Sequence, residues 1–342
     1  MIRWNVVLAG GIGSRFWPLS TPERPKQLLP LVTDAPMLLD SIDRLRPSAP
    51  PERTLVLTNA SLRDAVLQLD PTLPPDNVIA EPRPAGTCAA LAWAAKLIAE
   101  RDGRDAVMVC THADWAIGDA VSFRSTLDHA ARVAFEEQSL VTVGIVPSRP
   151  DPGFGYIQQG SDVRDGVRRV ARFAEKPDRA TAKRMVQEGY LWNSGIFAWR
   201  VGDLLEEIRL LTPEVQPALE AAGDRLEAFF AQVKSVAIDV GVLERSTRVL
   251  VLPGAFGWDD VGTWAALHRV RAHDAQDNAM LGPSFACHAT GNVVHADGIR
   301  VVLYGVQDLV VVARDGLVMV TTREQAADLK TLLDALPPEM SD

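Results

Sequence analysis

The sequence predicts an α/β protein with a mixed, mainly parallel sheet flanked by helices, followed by a small β-rich domain. Three observations predict this fold class. Short β-rich runs alternate with helical patterns, a Gly-rich turn directly follows the first run, and evenly spaced Val-rich runs fill the C-terminal region. Strands that alternate with helices form parallel sheets, because each crossover helix returns the chain to the same end of the sheet.

Four short runs have strand composition: residues 6–8, 54–58, 107–110 and 141–146. The clearest helix is predicted over residues 88–100, which are rich in strong helix formers; Leu91, Ala94, Ala95 and Ile98 fall on one face. Such a Rossmann-like sheet binds ligands at the carboxyl ends of its strands, and the Gly-rich turn begins at one of these ends. We therefore expect the functional site at this edge of the sheet.

The C-terminal runs start at positions that step by eight residues: Val293, Val301, Leu309 and Leu317. Evenly spaced short strands predict a small all-β unit. Arg314-Asp315-Gly316 is typical of a tight hairpin between the last two strands, and a closing helix is predicted over residues 323–336.

The length of 342 residues allows one large core with a smaller unit, or two domains. Polar, Gly and Pro residues cluster at 272–283, so we expect one domain over 1–272 and a second over 283–342. The 35 basic and 44 acidic residues give a net charge of −9 without a basic stripe, which opposes nucleic-acid binding. Three unpaired cysteines, the lack of a long apolar run and the lack of a signal-peptide pattern favour a cytoplasmic protein.

The Gly-rich turn has the composition of a phosphate-binding loop. Gly10, Gly11 and Gly13 let the backbone turn sharply and approach a ligand, with Arg15 and Lys26 following as cations. The NTPase pattern G-x-x-x-x-G-K-[ST] does not occur here. A tight turn with solvated cations is the alternative, but the prolines and leucines that flank the second cation favour a fixed position for it.

The segment over residues 8–31 resembles the signature of the sugar-1-phosphate nucleotidyltransferases, roughly G-G-x-G-[ST]-R-[LF]-x-P-L followed by P-K. Trp17 and Gln27 indicate the mannose-1-phosphate guanylyltransferase branch. The resemblance covers most of residues 4–330 and implies the nucleotide-diphospho-sugar transferase fold. The family often carries a C-terminal left-handed β-helix, although its hexapeptide repeat is not evident in this sequence.

The resemblance implies that the loop backbone holds a triphosphate, that Arg15 stabilises the pyrophosphate leaving group and that Lys26 bridges the phosphates of both substrates. The implied nucleotide-binding residues are Leu8, Ala9, Gly10, Gly11, Gly13, Ser14, Arg15, Lys26, Glu81, Gly86 and Thr87. Attack of one phosphate on another needs no side-chain nucleophile, so positioning and charge neutralisation are expected to carry the reaction.

Two aspartates are expected to bind Mg²⁺, which in proteins takes one or two carboxylates together with phosphate oxygens. Asp114 follows a buried-looking strand, where a turn or capping role is the alternative. Asp260 lies in the segment 257–264, G-W-D-D-V-G-T-W, which resembles the family's G-W-x-D-V-G-x-W. Arg15, Lys26 and these two aspartates form the predicted catalytic set.

Four further segments resemble the family's sugar-phosphate pocket: F-G-Y-I, F-x-E-K-P, W-N-S-G-[MI]-F and S-I-D-Y-x-[IV]-[LM]-E. The residues that they imply for sugar-phosphate binding are Gly155, Tyr156, Glu175, Lys176, Asn193 and Asp239. Lys176 is expected on the sugar phosphate and Glu175 on the sugar hydroxyls. A surface ion pair is the alternative for these two neighbours.

The segment expected to read the base departs from the family. The pattern E-P-x-x-R-N-T-A-P-A is replaced by Glu81-Pro82-Arg83-Pro84-Ala85-Gly86-Thr87-Cys88-Ala89-Ala90, which lacks the Arg-Asn pair. The base preference is therefore less strongly predicted than nucleotidyl transfer itself.

Taken as a whole, the resemblance implies a Mg²⁺-dependent enzyme that makes GDP-mannose and pyrophosphate from GTP and mannose 1-phosphate. The length leaves no room for the isomerase domain of some relatives, so we expect a single activity, a homodimer, and no nucleic-acid or membrane partner. One alternative is a transferase for another nucleotide or sugar 1-phosphate, and a second is a catalytically silent nucleotide-sugar sensor. A nicotinamide-dependent dehydrogenase is opposed by Phe16, which stands where the third Gly of G-x-G-x-x-G is required.

Overall fold

The structure is a computed structural model that describes residues 1–11, 14–314 and 316–337, with Ser14 described by its backbone alone. The chain forms two compact units. The large unit comprises Met1–Gly10, Ile42–His112 and Asp119–Phe256. The small unit comprises Gly11–Ser41, Ala113–Gly118 and Gly257–Asp342. The division into domains over residues 1–272 and 283–342 stays a prediction, because these compact units are defined by contacts and not by sequence boundaries.

The large unit contains a mixed sheet of nine strands within the described part of the chain. The strands are β1 (Arg3–Leu8), β2 (Thr54–Asn59), β3 (Val78–Glu81), β4 (Val107–His112), β6 (Leu140–Ile145), β7 (Tyr156–Arg164), β8 (Val167–Ala174), β9 (Leu191–Arg200) and β10 (Val249–Gly254). Their order is β3-β2-β1-β4-β9-β6-β10-β8-β7. Strands β3, β2, β1 and β4 are parallel, as are β6 and β10, whereas β9 runs antiparallel between β4 and β6.

Helices pack around this sheet. They are α2 (Arg63–Leu69), α3 (Thr87–Asp102), α4 (Ala120–Glu137), α5 (Arg179–Gln187), α6 (Val201–Leu211), α7 (Gln216–Ala222) and α8 (Leu226–Gln232), while α1 (Met37–Leu45) contributes residues to both units. Residues 88–95 of helix α3 are buried on all sides rather than on one face, because residues from the sheet and from α6 and α8 share their apolar cluster. The stacked rings of Trp93 and Phe229 lie in this cluster.

The small unit contains short strands and two short helices among its described residues. They are β5 (Ala116–Ile117), β11 (Trp258–Asp259), α9 (Leu267–Val270), β12 (Ala279–Leu281), β13 (Ser284–Cys287), β14 (Val293–Asp297), β15 (Val301–Tyr304), β16 (Leu309–Arg314), β17 (Leu317–Thr322) and α10 (Lys330–Ala335). Strands β12, β14 and β16 pair in parallel in one sheet, and β13 pairs in parallel with β15 in another. The chain thus alternates between two parallel sheets, as in a β-solenoid.

A buried arginine connects the N-terminal part of the small unit with this solenoid. Arg271 donates hydrogen bonds to the backbone oxygens of Leu31 and Val294 and to Nδ1 of His295. Burial lowers the pKa of His295 to about 3, so its ring is neutral and can accept this bond. The segment that carries Lys26 is therefore fastened to the strands of its own unit.

The fold class predicted from the sequence is confirmed. The four C-terminal positions spaced by eight residues are the first residues of β14, β15, β16 and β17. Strands β16 and β17 form the predicted hairpin, although Asp315 of its turn lies outside the described residues. The region 272–283 also contains β12, a strand too short to have a sequence pattern. No helix in the described residues is long and apolar enough to cross a membrane.

Candidate functional site

The Gly-rich loop begins immediately after β1, at the carboxyl end of a parallel strand. Within the large unit, Nδ2 of Asn59 donates to the carbonyl oxygen of Gly10 at 3.2 Å. Within the small unit, Nε2 of Gln27 donates to the carbonyl oxygen of Gly11 at 2.9 Å. A Cβ on Gly11 would meet no heavy atom within 4 Å, so a ligand can approach this backbone. Gly13 and the side chain of Ser14 lie outside the described residues.

Lys26 is held by the two aspartates that the sequence predicts as metal ligands. It follows Pro25 in a 3-10 turn, Lys26–Leu28, and only 7% of its side chain is exposed. Its Nζ lies 3.1 Å from Oδ2 of Asp114 and 2.6 Å from the backbone oxygen of Asp260. The ring of Phe16 lies 5.9 Å from the same nitrogen. The chain thus places this buried cation directly between the two segments that carry acidic residues.

The side chains of Asp114 and Asp260 lie on segments of the small unit that both contact Lys26. The Asp114 side chain is 35% exposed, so a ligand can reach it although Lys26 already pairs with it. A Cβ on Gly262 would lie 2.9 Å from Oδ2 of Asp260 and 3.5 Å from Nη1 of Arg15. Gly262 therefore leaves room beside a carboxylate and a guanidinium. Carboxylate oxygens such as these are hard donors of the kind that divalent cations bind.

Asp259, adjacent to Asp260, has a different environment that the sequence analysis does not predict. It is 5% exposed, and its carboxylate accepts hydrogen bonds from Nε and Nη2 of Arg269 at 2.8 and 3.1 Å. It also accepts one from the backbone N–H of Val261, which has a φ of +48°. This pair fixes the turn that contains Asp260. An Arg ten residues after an Asp gives no recognisable signal in one sequence.

Aromatic residues support the same turn from within the small unit. Trp264 is fully buried, its ring meets that of Phe16 edge to face, and its Nε1 donates to the carbonyl oxygen of Trp17. Trp258 contacts Trp115 in a similar edge-to-face geometry. The tryptophans of the segment 257–264 therefore pack against the residues that follow the Gly-rich loop and those that follow Asp114.

Glu81 ends β3 in the large unit, close to the Gly-rich loop. Its Oε1 would lie 3.7 Å from a Cβ on Gly10. Burial raises the pKa of Glu81 from 4.5 to about 7, because the surroundings stabilise the charged form less well than water does. A half-buried carboxyl beside a backbone that can hold phosphates is suited to accept N–H groups of a base.

The departure from the family at Ala85 and Gly86 has a packing reason. Ala85 is fully buried, so an Arg side chain would not fit there. Gly86 has a φ of +79°, and a Cβ on it would lie 2.4 Å from the backbone oxygen of Val236. Oγ1 of Thr87 accepts a hydrogen bond from the N–H of Ile238 at 2.9 Å. The segment predicted to bind nucleotide is thus joined to the segment that leads into Asp239.

The predicted sugar-phosphate residues meet in another part of the large unit. Nδ2 of Asn193 donates to Oδ1 of Asp239 at 2.7 Å. The backbone N–H of Asn193 donates to the backbone oxygen of Gly155. A Cβ on Gly155 would lie 2.9 Å from Oε2 of Glu175, so this carboxylate lies close to the Gly155 backbone. Tyr156 is fully buried and its hydroxyl donates to the backbone oxygen of Asp151. Tyr156 therefore contributes packing at this position.

Lys176 follows β8 and is much more exposed than Lys26. Its Nζ lies 3.5 Å from Oε1 of Glu175, and 67% of each side chain is exposed. Its backbone φ is +37°, a conformation that side chains larger than Gly rarely adopt. Strained backbone of this kind is concentrated at functional sites.

Within each unit, the structure brings most of the predicted residues into groups. The small unit groups Arg15, Lys26, Asp114 and Asp260. The large unit places Leu8, Ala9 and Gly10 at the loop near Glu81, and it groups Gly155, Glu175, Asn193 and Asp239. The residues that the sequence analysis omits are those that hold the others in place, namely Asn59, Asp259, Gly262 and Arg269.

Comparisons with known proteins identify the family of this chain. The family model for nucleotidyl transferases matches residues 4–277. The mannose-1-phosphate guanylyltransferase of Salmonella muenchen is 34% identical over 345 residues, covering 97% of this chain and 72% of that protein. The mannose-1-phosphate guanylyltransferase of Escherichia coli K12 is 36% identical over 356 residues, covering 97% and 73%.

A solved structure extends this similarity to the fold. The crystal structure of mannose-1-phosphate geranyltransferase from Thermus thermophilus superposes with a TM-score of 0.89 at 34% identity, covering 98% of this chain and 99% of that one. The family match and the relatives confirm the resemblance predicted from the sequence. The chain belongs to the nucleotidyl transferase family and is a nucleotidyltransferase.

Proposed function

We propose that this protein transfers GMP from GTP to α-D-mannose 1-phosphate, giving GDP-mannose and pyrophosphate. The relatives named as mannose-1-phosphate guanylyltransferases support this substrate pair. The structural observation that carries the proposal is the position of Lys26, whose ammonium contacts both Asp114 and Asp260. A buried cation beside two carboxylate-bearing segments can neutralise phosphate oxygens next to a metal ion that the carboxylates hold.

The nucleotide phosphates are held by residues of the Gly-rich loop and its neighbours. The backbone N–H groups at Gly10 and Gly11 bind phosphate oxygens, since neither residue has a side chain of its own to obstruct their approach. Arg15 stabilises the negative charge that develops on the leaving pyrophosphate, and Lys26 neutralises the phosphate under attack. An oxygen of mannose 1-phosphate attacks the α-phosphorus as the bond to pyrophosphate breaks, so no covalent enzyme intermediate forms.

Members of this family generally use a divalent metal ion. We propose Mg²⁺ held by the carboxylates of Asp114 and Asp260. When bound, it would neutralise phosphate oxygens and orient them for in-line displacement. Asp259 and Arg269 keep the Asp260 turn in position for this role, and Lys26 holds Asp114.

Mannose 1-phosphate is bound by residues of the large unit. Lys176 contacts the phosphate, and Glu175 accepts hydrogen bonds from sugar hydroxyls. Asn193 and Asp239 are already joined by a hydrogen bond, so they present a fixed pair of polar groups to the sugar. A few fixed polar groups are what a sugar pocket requires for orientation.

Glu81 is proposed as the acceptor for the N–H groups of guanine. Its position near Gly10 favours this role, because the base must lie within the length of a nucleotide from its phosphates. The altered Ala85-Gly86 pair favours one second candidate, a transferase that uses another NTP or another sugar 1-phosphate. We also propose that the protein is a homodimer, which light scattering of the purified chain measures.

A substrate panel tests the proposed reaction. GTP, ATP, CTP, UTP and dTTP are each combined with mannose 1-phosphate or glucose 1-phosphate, and pyrophosphate release is followed with Mg²⁺ or with EDTA. The expected result is fastest turnover with GTP, mannose 1-phosphate and Mg²⁺, and none with EDTA. Turnover with UTP or dTTP but not with GTP would replace the assignment by the second candidate.

Two variants separate an enzyme from a catalytically silent sensor. Asp260→Asn is expected to abolish turnover, because it removes a carboxylate from the proposed metal site. Asp64→Asn is the matched control, since Asp64 has an 88% exposed side chain on α2. If wild type and both variants fail to turn over any substrate pair while wild type still binds GTP, the sensor hypothesis is the correct one.

A further inference from the structure

A second group of metal-ligating side chains lies outside the residues assigned to the proposed function. His268 lies on α9, and His273 and Asp277 lie in the connection between α9 and β12. All three belong to the small unit. Their ligand atoms lie within 4.8 Å of one another. We propose that these residues bind a divalent transition-metal ion of the Zn²⁺ class.

The distances among the three side chains are close to those of a zinc site. Nε2 of His268 lies 3.3 Å from Oδ2 of Asp277, and Nδ1 of His273 lies 3.0 Å from Oδ1 of the same residue. Ligands at about 2.0–2.1 Å from a tetrahedral ion are about 3.3 Å apart. Each imidazole nitrogen therefore already lies near the required separation from one oxygen of the Asp277 carboxylate. All three ligand atoms lie within 4.8 Å of one another, and the side chains of His273 and Asp277, which are 32% and 58% exposed, can adjust to one ion.

The backbone that presents these ligands is fixed by its own hydrogen bonds. Oδ1 of Asp274 accepts from the backbone N–H groups of Gln276 and Asn278, at 2.9 Å each. The N–H of Asp277 donates to the oxygen of Asp274, and the side chain of Asn278 is buried and bonded to the backbone oxygen of Ala289. A ligand set on a fixed turn loses less conformational entropy when the ion binds.

The chemistry of the donors selects the ion. Two imidazoles and one carboxylate suit Zn²⁺ and other late first-row ions, whereas Mg²⁺ prefers oxygen ligands alone. Three protein ligands leave a fourth position for water. The three residues have no part in the proposed transfer reaction, so the ion is a structural link. It connects α9, which follows the Asp260 turn, with the turn that leads into β12.

A titration of the purified full chain with Co²⁺, a spectroscopic substitute for Zn²⁺, tests the site. Four-coordinate Co²⁺ with two imidazole ligands absorbs visible light far more strongly than six-coordinate Co²⁺ at a carboxylate site. The expected result is one equivalent that gives this absorption and that Zn²⁺ displaces. Thermal unfolding with one equivalent of Zn²⁺ is expected at a higher Tm than with EDTA.

Variants assign the signal to the named residues. His273→Ala and Asp277→Asn are each expected to lose the visible band and the Zn²⁺-dependent rise in Tm. His129→Ala, which removes a half-buried imidazole from the middle of α4, is the matched control and is expected to keep both. An absent band in wild type, or a band that survives in both cluster variants, would overturn the proposal. Binding of Mg²⁺ at Asp114 and Asp260 should change neither the visible Co²⁺ band nor the Zn²⁺-dependent rise in Tm.

Discussion

The two lysines proposed to bind phosphate have opposite environments. Lys26 is buried, 7% exposed, and contacts Asp114 and the backbone of Asp260. Lys176 is 67% exposed and lies 3.5 Å from Glu175, which is equally exposed. Both occur next to a proline in a family motif, but the sequence predicts a fixed position only for Lys26 and leaves a surface ion pair as the alternative for Lys176. The structure shows that only the first is fixed in the free protein.

This difference indicates different contributions to the reaction. A cation that is already fixed costs no reorganisation when charge develops, and it acts mainly on the transition state. An exposed lysine is ordered only by its ligand, and solvent screens its charge, so it contributes mainly to binding. We therefore expect Lys26 to determine kcat and Lys176 to determine KM for the sugar phosphate.

Among the variants that test the comparison of the two lysines, Lys26→Ala is expected to have the largest effect. Its loss removes a preorganised cation and should lower kcat roughly 100- to 1,000-fold with little change in either KM. Lys26→Arg should not restore activity, because the planar guanidinium does not fit the space of a buried ammonium held by two oxygens. Steady-state kinetics with GTP and mannose 1-phosphate measure both variants. A change confined to KM would remove the distinction between the two lysines.

Asp259→Asn tests whether the fixed position of Lys26 depends on the turn at Asp260. The change weakens the paired hydrogen bonds with Arg269, so we expect a loss of about 2 kcal/mol in unfolding free energy and roughly tenfold in kcat. Urea unfolding and kinetics measure these effects. Asp162→Asn, at the exposed pair with Arg168, is the control and should change stability by less than about 0.5 kcal/mol. Unchanged kcat in Asp259→Asn would mean that this pair does not position the Asp260 turn.

Lys176→Ala tests whether the exposed lysine contributes to substrate binding. It should raise KM for mannose 1-phosphate roughly tenfold, which corresponds to the low end of the free energy that a hydrogen bond to a charged group contributes. Both kcat and the KM for GTP should stay unchanged. The Tm should not change, because the side chain is exposed. A larger drop in kcat than in Lys26→Ala would reverse the proposed roles.

Glu81→Gln is expected to have the smallest effect, and it depends on pH. The folded-state pKa of about 7 lies above the usual 4.5, so the folded protein binds the extra proton between these values. Ionisation of Glu81 therefore lowers wild-type stability as pH rises from about 4.5 to 7. Thermal unfolding should show that the variant is more stable than wild type at pH 8 and equally stable at pH 4. A separate kinetic effect is expected at pH 8, where the KM of the variant for GTP should rise a few-fold. The same Tm difference at both pH values would contradict the assigned burial of this carboxyl.

Local patterns predicted much of the fold. The first residues of β14 to β17 follow the spacing of apolar runs, and the first, second, fourth and sixth strands lie where β-rich runs occur. The antiparallel insertion of β9 between β4 and β6 could not be predicted, because strand neighbours are set by long-range packing. For the same reason, helix α3 has an amphipathic pattern in the sequence but is covered on all sides over residues 88–95.

The candidate site shows the same limit. Motifs identified Lys26, Asp114 and Asp260 one by one. Their contacts join positions 88 and 234 residues apart, which no local spacing reveals. The burial of the Asp259 side chain depends on its hydrogen bonds with Arg269. The exposure of the Lys176 side chain depends on the residue at which β8 ends. Residue types with a chemical role were predictable, whereas the groups that hold them in place were not.

The most direct test of the central claim is the rate at which acetic anhydride acetylates Lys26 and Lys176, measured by mass spectrometry of the native protein. Burial and hydrogen bonding should make Lys26 slow with or without substrates. Lys176 should react rapidly in the free protein and become protected by mannose 1-phosphate. Equal rates in the free protein, or no protection of Lys176 at saturating mannose 1-phosphate, would contradict the account.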